Sequence, residues 1–172
     1  MWTRRWRHSS QTTLSLLPAV QLQPMVANYV THPPNDALLL GTDVVKDEAT
    51  LVRAYDDKAG GTAAFNLNVL HRLNRELGAD FDTRSFRHRA RWNRVKSRME
   101  MHLESTRDQC ANIPAAQLSV EFAAIETIHT ERSYKFTRKT LGALLDDASF
   151  TIEQGWTDPR QWYTLTLASL QY

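Results

Sequence analysis

Between Gly78 and Phe86 the apolar pattern of this chain changes from the period of a helix to the period of a strand, and that change narrows the fold class. In "TAAFNLNVLHRLNRELG", 62–78, Phe65, Val69, Leu73 and Leu77 recur at every fourth position, with Leu70 beside them. Thr62 is placed to N-cap this helix and Gly78 to close it. The pattern then alternates. In "FRHRARW", 86–92, Phe86, His88, Ala90 and Trp92 alternate with Arg87, Arg89 and Arg91. In "RMEMHLE", 98–104, Met99, Met101 and Leu103 alternate with Arg98, Glu100, His102 and Glu104. Both stretches read as half-buried strands, with "NRVKS", 93–97, as the turn of an antiparallel hairpin.

The flanking segments extend this reading. "HPPND", 32–36, is a loop, because two prolines do not fit a helix interior or a central strand. "ALLLGTD", 37–43, is a continuous apolar run closed by a glycine, the pattern of a buried strand in a parallel sheet. "KDEATLVRAYDD", 46–57, reads as a short helix broken at Gly60-Gly61. "LSVEF", 118–122, and the opening stretch read as strands. "TRKTLGALLDDASF", 137–150, reads as a helix with Leu141, Leu144 and Leu145 inward. "FTIEQGW" and "WYTLTLASL" close the chain as two strands around "TDPRQ". The expected fold class is α/β with a mixed sheet.

At 172 residues, 42% apolar and 23% charged, the chain fits one folded domain. A net charge of +2 does not by itself call for a nucleic-acid or membrane partner. The single cysteine, Cys110, excludes an internal disulfide and any multi-cysteine metal site, so a reducing, cytoplasmic location is expected. Cys110 itself reads as a buried bystander. No apolar run approaches the ~18–20 residues that span a bilayer. The opening "MWTRRWRHSSQTTLSLL" has the composition of a mitochondrial presequence, and we read it as an end without a role.

Four features carry candidate chemistry. The basic run 84–98 offers a phosphate-binding stripe, but Glu100 and Glu104 on the adjacent strand account for it by cross-strand pairing. No histidine pair has the helical spacing of a zinc site, and His88 and His129 read as packing or hydrogen-bonding residues. Asp56 and Asp57 in "AYDDKAGGTAAFN", 54–66, are either an acid–base pair or the solvated end of a helix. In "ETIHTERSYKF", 126–136, Glu131 and Ser133 are two apart and share one side of a strand. Two readings stand for them: a solvated strand, or a polar pocket wall whose carboxylate accepts a ligand's ring N–H.

The blocks "LLLGTDVVKDEATLVRAYDDKAGGTAAFNLNVLHRLNRELGADFD", 38–82, "MEMHLESTRDQ", 99–109, "ETIHTERSYKFT", 126–137, and "WTDPRQWYTLTL", 156–167, stand in one order and spacing. Together they resemble the histidine-specific Nα-methyltransferases of ergothioneine biosynthesis. The resemblance implies a class I, Rossmann-like methyltransferase sheet that binds S-adenosylmethionine, with an inserted antiparallel β substrate region at about 80–135. It implies transfer of methyl groups to the α-amino nitrogen of L-histidine or a related amino acid. By motif position it assigns Glu131 and Ser133 to the imidazole nitrogens, Met101 to the face of the ring, Tyr55 to the substrate carboxylate and Thr62 to the shell near the amine. It names no catalytic acid or base.

The departures from that family are equally specific. The glycine-rich cofactor loop and its ribose-binding acid have no counterpart in this sequence, so the chain is expected to be the C-terminal portion, 35–172, of such a domain. Residues 1–34 match poorly, and in "LSLLP", 14–18, Ser15 stands where the family has a substrate-contacting asparagine. An incomplete sheet implies an exposed edge and self-association. Two readings remain: a truncated methyltransferase, or a non-catalytic α/β binding or oligomerisation domain derived from one.

Overall fold

The computed structural model describes residues 37–170. The readings made for 1–34, for Ser15 and for an opening strand therefore lie outside the described residues. In chain order the elements are β1 (Ala37–Asp43), α1 (Glu48–Tyr55), α2 (Gly61–Leu77), β2 (Phe86–Asn93), β3 (Arg98–Ser105), β4 (Gln109–Ile113), β5 (Leu118–Phe122), β6 (Thr127–Tyr134), α3 (Arg138–Asp147), β7 (Phe150–Thr157) and β8 (Tyr163–Leu170). The fold is mixed α/β, as the period change requires. The described strands form sheets of order β1-β8-β7 and β2-β3-β6 and the hairpin β4-β5. The chain divides into two compact units, one holding 37–46, 94–98 and 132–170, the other 47–93 and 99–131.

The first unit is built on β1, β8 and β7. β1 pairs antiparallel with β8 from Ala37↔Ser169 to Asp43↔Tyr163, and β7 pairs antiparallel with the other side of β8. The parallel setting expected of "ALLLGTD" is thus corrected for this ladder; the parallel contact is a single bridge, Val44↔Phe136. Its apolar run follows from burial of one face, where Leu38 and Leu40 join Leu141, Leu145, Phe150 and Ala168 in one core. Helix α3 supplies Leu141 and Leu145, four apart on one face, and is opened by a capping box between Thr137 and Thr140.

The second unit packs α2 over the strands. Leu70, Phe81, Phe86, Leu103, Ala111, Ile113 and Phe122 form its core, with Phe81, Phe86 and Phe122 in edge-on and tilted ring contacts. The face of α2 differs from the sequence reading. Phe65 is 63% exposed and Val69 and Leu77 are exposed too, whereas Asn66 and Leu70 are buried. The N-cap also differs: Gly60, with φ 76°, occupies it, and the Asp57 carboxylate takes the N–H groups of Gly61 and Thr62. Gly78 closes the helix with φ 64°, as expected.

The hairpin β2–β3 forms at the expected positions, but only β2 is half-buried. β3 is buried on both faces because it is the central strand, between β2 and β6. Cys110 is exposed rather than buried, because β4 turns Ala111 and Ile113 to the core and Cys110 outward.

Candidate functional site

Four of the five sequence-predicted site residues lie in the second unit, where a chain of buried polar contacts ties their elements together. His88 Nε2 lies 2.7 Å from the Tyr55 carbonyl, so Nε2 carries the proton and donates. Its Nδ1 then accepts from Asn66 Nδ2 at 2.9 Å. The second Asn66 N–H reaches the carbonyl of His102 at 3.1 Å. These three hydrogen bonds fix the end of α1, the start of α2, β2 and β3 against each other. The hydrogen-bonding role read for His88 is met. Asn66 was missed, and its signal was a polar residue four before the buried Leu70.

Tyr55 is the last residue of α1 and its side chain is half-buried. Thr62, also half-buried, sits in the first turn of α2, its N–H donated to Asp57 Oδ1 at 2.7 Å. The hydrogen bonds from Thr62 and Gly61 hold the Asp57 carboxyl down to about 2. Asp57 is thus a helix-capping acid, the structural alternative left open for the Asp56–Asp57 pair. Met101 is buried on β3, and its carbonyl accepts from Thr130 Oγ1 at 2.9 Å, next to Glu131 on β6. Glu131 is half-buried, and its carbonyl accepts from His129 Nε2 at 3.0 Å.

Ser133 belongs to the first unit. It is buried, and its Oγ accepts from Lys135 Nζ at 3.0 Å. Lys135 is itself fully buried and pairs with Asp43 Oδ2 at 2.7 Å. Asp43 ends β1 and also binds Lys46. Ser133 and Lys135 share a side of the strand by their spacing of two, so a lysine that looked solvated is the support of a predicted site residue. The sequence signal was the second-neighbour repeat alone.

The polar face of β3 carries a further cluster. Glu104 is buried beneath Arg87, Arg89 and Arg91; Arg87 Nε donates at 2.7 Å and Arg89 Nε at 3.2 Å, and Arg87 in first place holds its carboxyl below the ordinary range. This is the cross-strand pairing expected of the basic run, with Glu104 shared by Arg87, Arg89 and Arg91. Glu100 accepts from Asn93 Nδ2 at 3.0 Å and lies 3.5 Å from His102 Nε2. The His102 ring stacks on His129, with centroids 4.6 Å apart and planes at 16°. Burial first, then the charge of His129, lowers the pKa of His102.

S-adenosylmethionine is the group that the resemblance implies. Among the described residues Gly60-Gly61 joins two helices rather than a strand to a helix. Asp43, the acid at the end of β1, is engaged by Lys46 and Lys135. None of these residues is assigned to the adenosyl group, and no step below runs through it. Among them, no helix is long and apolar enough to cross a membrane.

Comparison with known proteins gives a consistent result. The family described as "Histidine-specific methyltransferase, SAM-dependent" matches residues 10–170. The histidine N-alpha-methyltransferase of Mycolicibacterium smegmatis is 47% identical over 154 residues, which are 90% of this chain and 48% of that protein. Its counterpart from Mycobacterium tuberculosis is 46% identical over 155 residues, again 90% and 48%. Ergothioneine biosynthesis protein 1 of Neurospora crassa is 44% identical over 45 residues. An S-adenosylmethionine-dependent methyltransferase from Clostridium acetobutylicum superposes with a TM-score of 0.44 at 8% identity, covering 94% of this chain and 56% of its own. The chain spans about half the length of the curated relatives it matches.

Proposed function

The chain belongs to the histidine-specific, SAM-dependent methyltransferases, and from that premise we propose that it carries the amino-acid-recognising part of a histidine Nα-methyltransferase. The observation that carries this reading is the 46–47% identity of 90% of this chain to two histidine N-alpha-methyltransferases, and Tyr55, Thr62, Met101, Glu131 and Ser133 take their roles from the motif resemblance. The region about 80–135 is the substrate-binding insertion of this reading, and 35–172 the C-terminal part of the domain.

Each residue has a physical task. Glu131 accepts the N–H of an imidazole, a charge-assisted bond that a non-hydrogen-bonding side chain does not offer. Ser133 takes the second ring nitrogen, held in place by Lys135. Met101 packs against the ring with a polarisable thioether. Tyr55 holds the substrate carboxylate, and its position is fixed through the His88 contact to its own carbonyl. Thr62 lies in the shell of the α-amine. S-adenosylmethionine would supply an electrophilic methyl group, and these residues would hold and orient the neutral amine of the amino acid. L-Histidine or a related amino acid is the partner, in a cytoplasmic setting and without nucleic acid. β1 is an edge strand of the described sheet, and we include self-association through it in the proposal.

The test is a calorimetric titration of S-adenosylmethionine into the purified chain, with and without L-histidine. Binding that strengthens with histidine supports a working methyltransferase. Absence of binding in both titrations favours the second reading, a non-catalytic α/β domain. In a histidine-binding chain Glu131→Ala weakens histidine by tens of fold, the scale of about 1.5–3 kcal/mol for a hydrogen bond to a charged group.

A further inference from the structure

We propose that Glu100, His102 and His129 form a binding site for a divalent first-row cation of the zinc type, separate from the residues assigned to the amino acid. Their donor atoms all lie within 4.8 Å of one another. Glu100 and His102 are two apart on β3 and share one side of it. His129 comes from the neighbouring strand β6 and stacks on His102. Tetrahedral zinc with ligands at about 2.0–2.1 Å needs donors about 3.3 Å apart. Glu100 Oε2 and His102 Nε2, at 3.5 Å, are already near that spacing. His129 is exposed, so its side chain has room to close the remainder.

A second observation points independently to a ligand. His102 is 8% exposed, yet neither ring nitrogen makes a well-formed hydrogen bond, and Nε2 has only the long 3.5 Å approach to Glu100 Oε2 within the cluster itself. A buried imidazole left in that state costs free energy, and a metal ion takes up one of its nitrogens directly. The other two residues are held as metal ligands usually are. Asn93 Nδ2 donates to Glu100 Oε1 and so orients the carboxylate, whose Oε2 lies on the His102 side. His129 Nε2–H donates to the Glu131 carbonyl, which leaves the Nδ1 lone pair for the cation. Arg91 is the opposing charge, and its guanidinium is drawn to Glu104, 3.9 Å away. Two imidazoles and one carboxylate form a donor set that suits zinc and leaves a fourth position for water or an outside ligand.

The experiment uses the full chain, stripped with a chelator. Zn²⁺ is titrated in competition with a chromophoric chelator, and Co²⁺ is used as a spectroscopic probe. The expected result is one equivalent bound, with the ligand-field bands of a low-coordinate Co²⁺ site. His129→Ala removes an exposed ligand without opening the core, and Glu100→Gln keeps the shape of the carboxylate. Each is expected to weaken Zn²⁺ by about tenfold or more, since even outer-shell partners act on that scale. His71→Ala, at an exposed histidine outside the cluster, is expected to bind as the parent does. Absence of saturable binding by the parent chain overturns the proposal. Unchanged binding in both His129→Ala and Glu100→Gln, with their circular dichroism intact, overturns it too, because the ion then sits elsewhere.

Discussion

Lys135 is the most demanding side chain in the described structure, and the cost of disturbing it follows from its surroundings. Its side chain is fully buried, whereas Asp43, its partner at 2.7 Å, is 24% exposed and holds Lys46 as well. The two partners are therefore unequal. Asp43→Asn takes the carboxylate at 2.7 Å away from an ammonium held inside the core. Removing one member of a buried pair costs about 3–5 kcal/mol, and the partial exposure of Asp43 puts the expected loss at the lower end, about 3 kcal/mol. Lys135→Met leaves a carboxylate that still reaches water and Lys46, and a side chain of similar volume fills the space. That loss is expected near 1 kcal/mol, and the double variant is expected to recover most of the difference. With a urea slope of about 1–3 kcal/mol per molar, Asp43→Asn lowers the midpoint by about 1–3 M. Because the chain has two compact units, the transition is followed by hydrogen exchange at the β1 and β8 amides, which report on the unit that holds the pair. A Lys135→Met loss equal to or larger than that of Asp43→Asn refutes the argument, since the ammonium is then not the costly partner.

Other outcomes follow from the second unit. Asn66→Leu leaves the His102 carbonyl and His88 Nδ1 without their donor, and at about 1–3 kcal/mol for each unsatisfied group the chain is expected to lose about 2–4 kcal/mol in a denaturant melt. In ¹⁵N spectra of the same variant the His88 ring loses its single tautomer. Asp57 titrates at about 2 in the fold against 3.8 as its reference value. Its folded pKa is depressed, so its contribution is complete above about 3.8 and is lost as pH falls towards 2. Amide exchange at Gly61 and Thr62 is expected to accelerate through that window, and Asp57→Asn to abolish the dependence.

The sequence was most legible where one face of an element is buried and the other is not. The alternation of β2 was read directly because its arginines do point outward. The leucines of α3 were read for the same reason. The helix α2 was misread because its buried face contains Asn66, whose burial is licensed by hydrogen bonds to two distant strands. Hydrophobic periodicity counts such a residue as solvated, so it chose the stripe of Phe65, Val69 and Leu77, which lies outside. Asp57 displaced Thr62 as the capping group by the same kind of contact, a carboxylate reaching forward from before the helix. Lys135 and Asp43 are nearly a hundred residues apart, and a charge carries no mark in the sequence of the partner that will bury it. Within the candidate site, the shared side of Glu131 and Ser133 was legible from spacing, whereas the supports of both, His129 and Lys135, were not.

β3 brings these lines together, because its two sides carry different chemistry. Met99, Met101 and Leu103 alternate with Glu100, His102 and Glu104, and the strand is buried on both sides. The ring-packing role proposed for Met101 and the cation site proposed at Glu100 and His102 therefore share a backbone but no side chain. The same separation holds on β6. His129 is oriented by the carbonyl of Glu131, while the imidazole of an amino acid would be read by its carboxylate. Glu131→Ala keeps that carbonyl and deletes the carboxylate. It is thus expected to weaken histidine binding by tens of fold and to leave Zn²⁺ affinity within about twofold of the parent. His129→Ala is expected to do the reverse as long as β6 keeps its pairing to β3. If Glu131→Ala removes Zn²⁺ as well, the carboxylate is itself a ligand and the two sites are one.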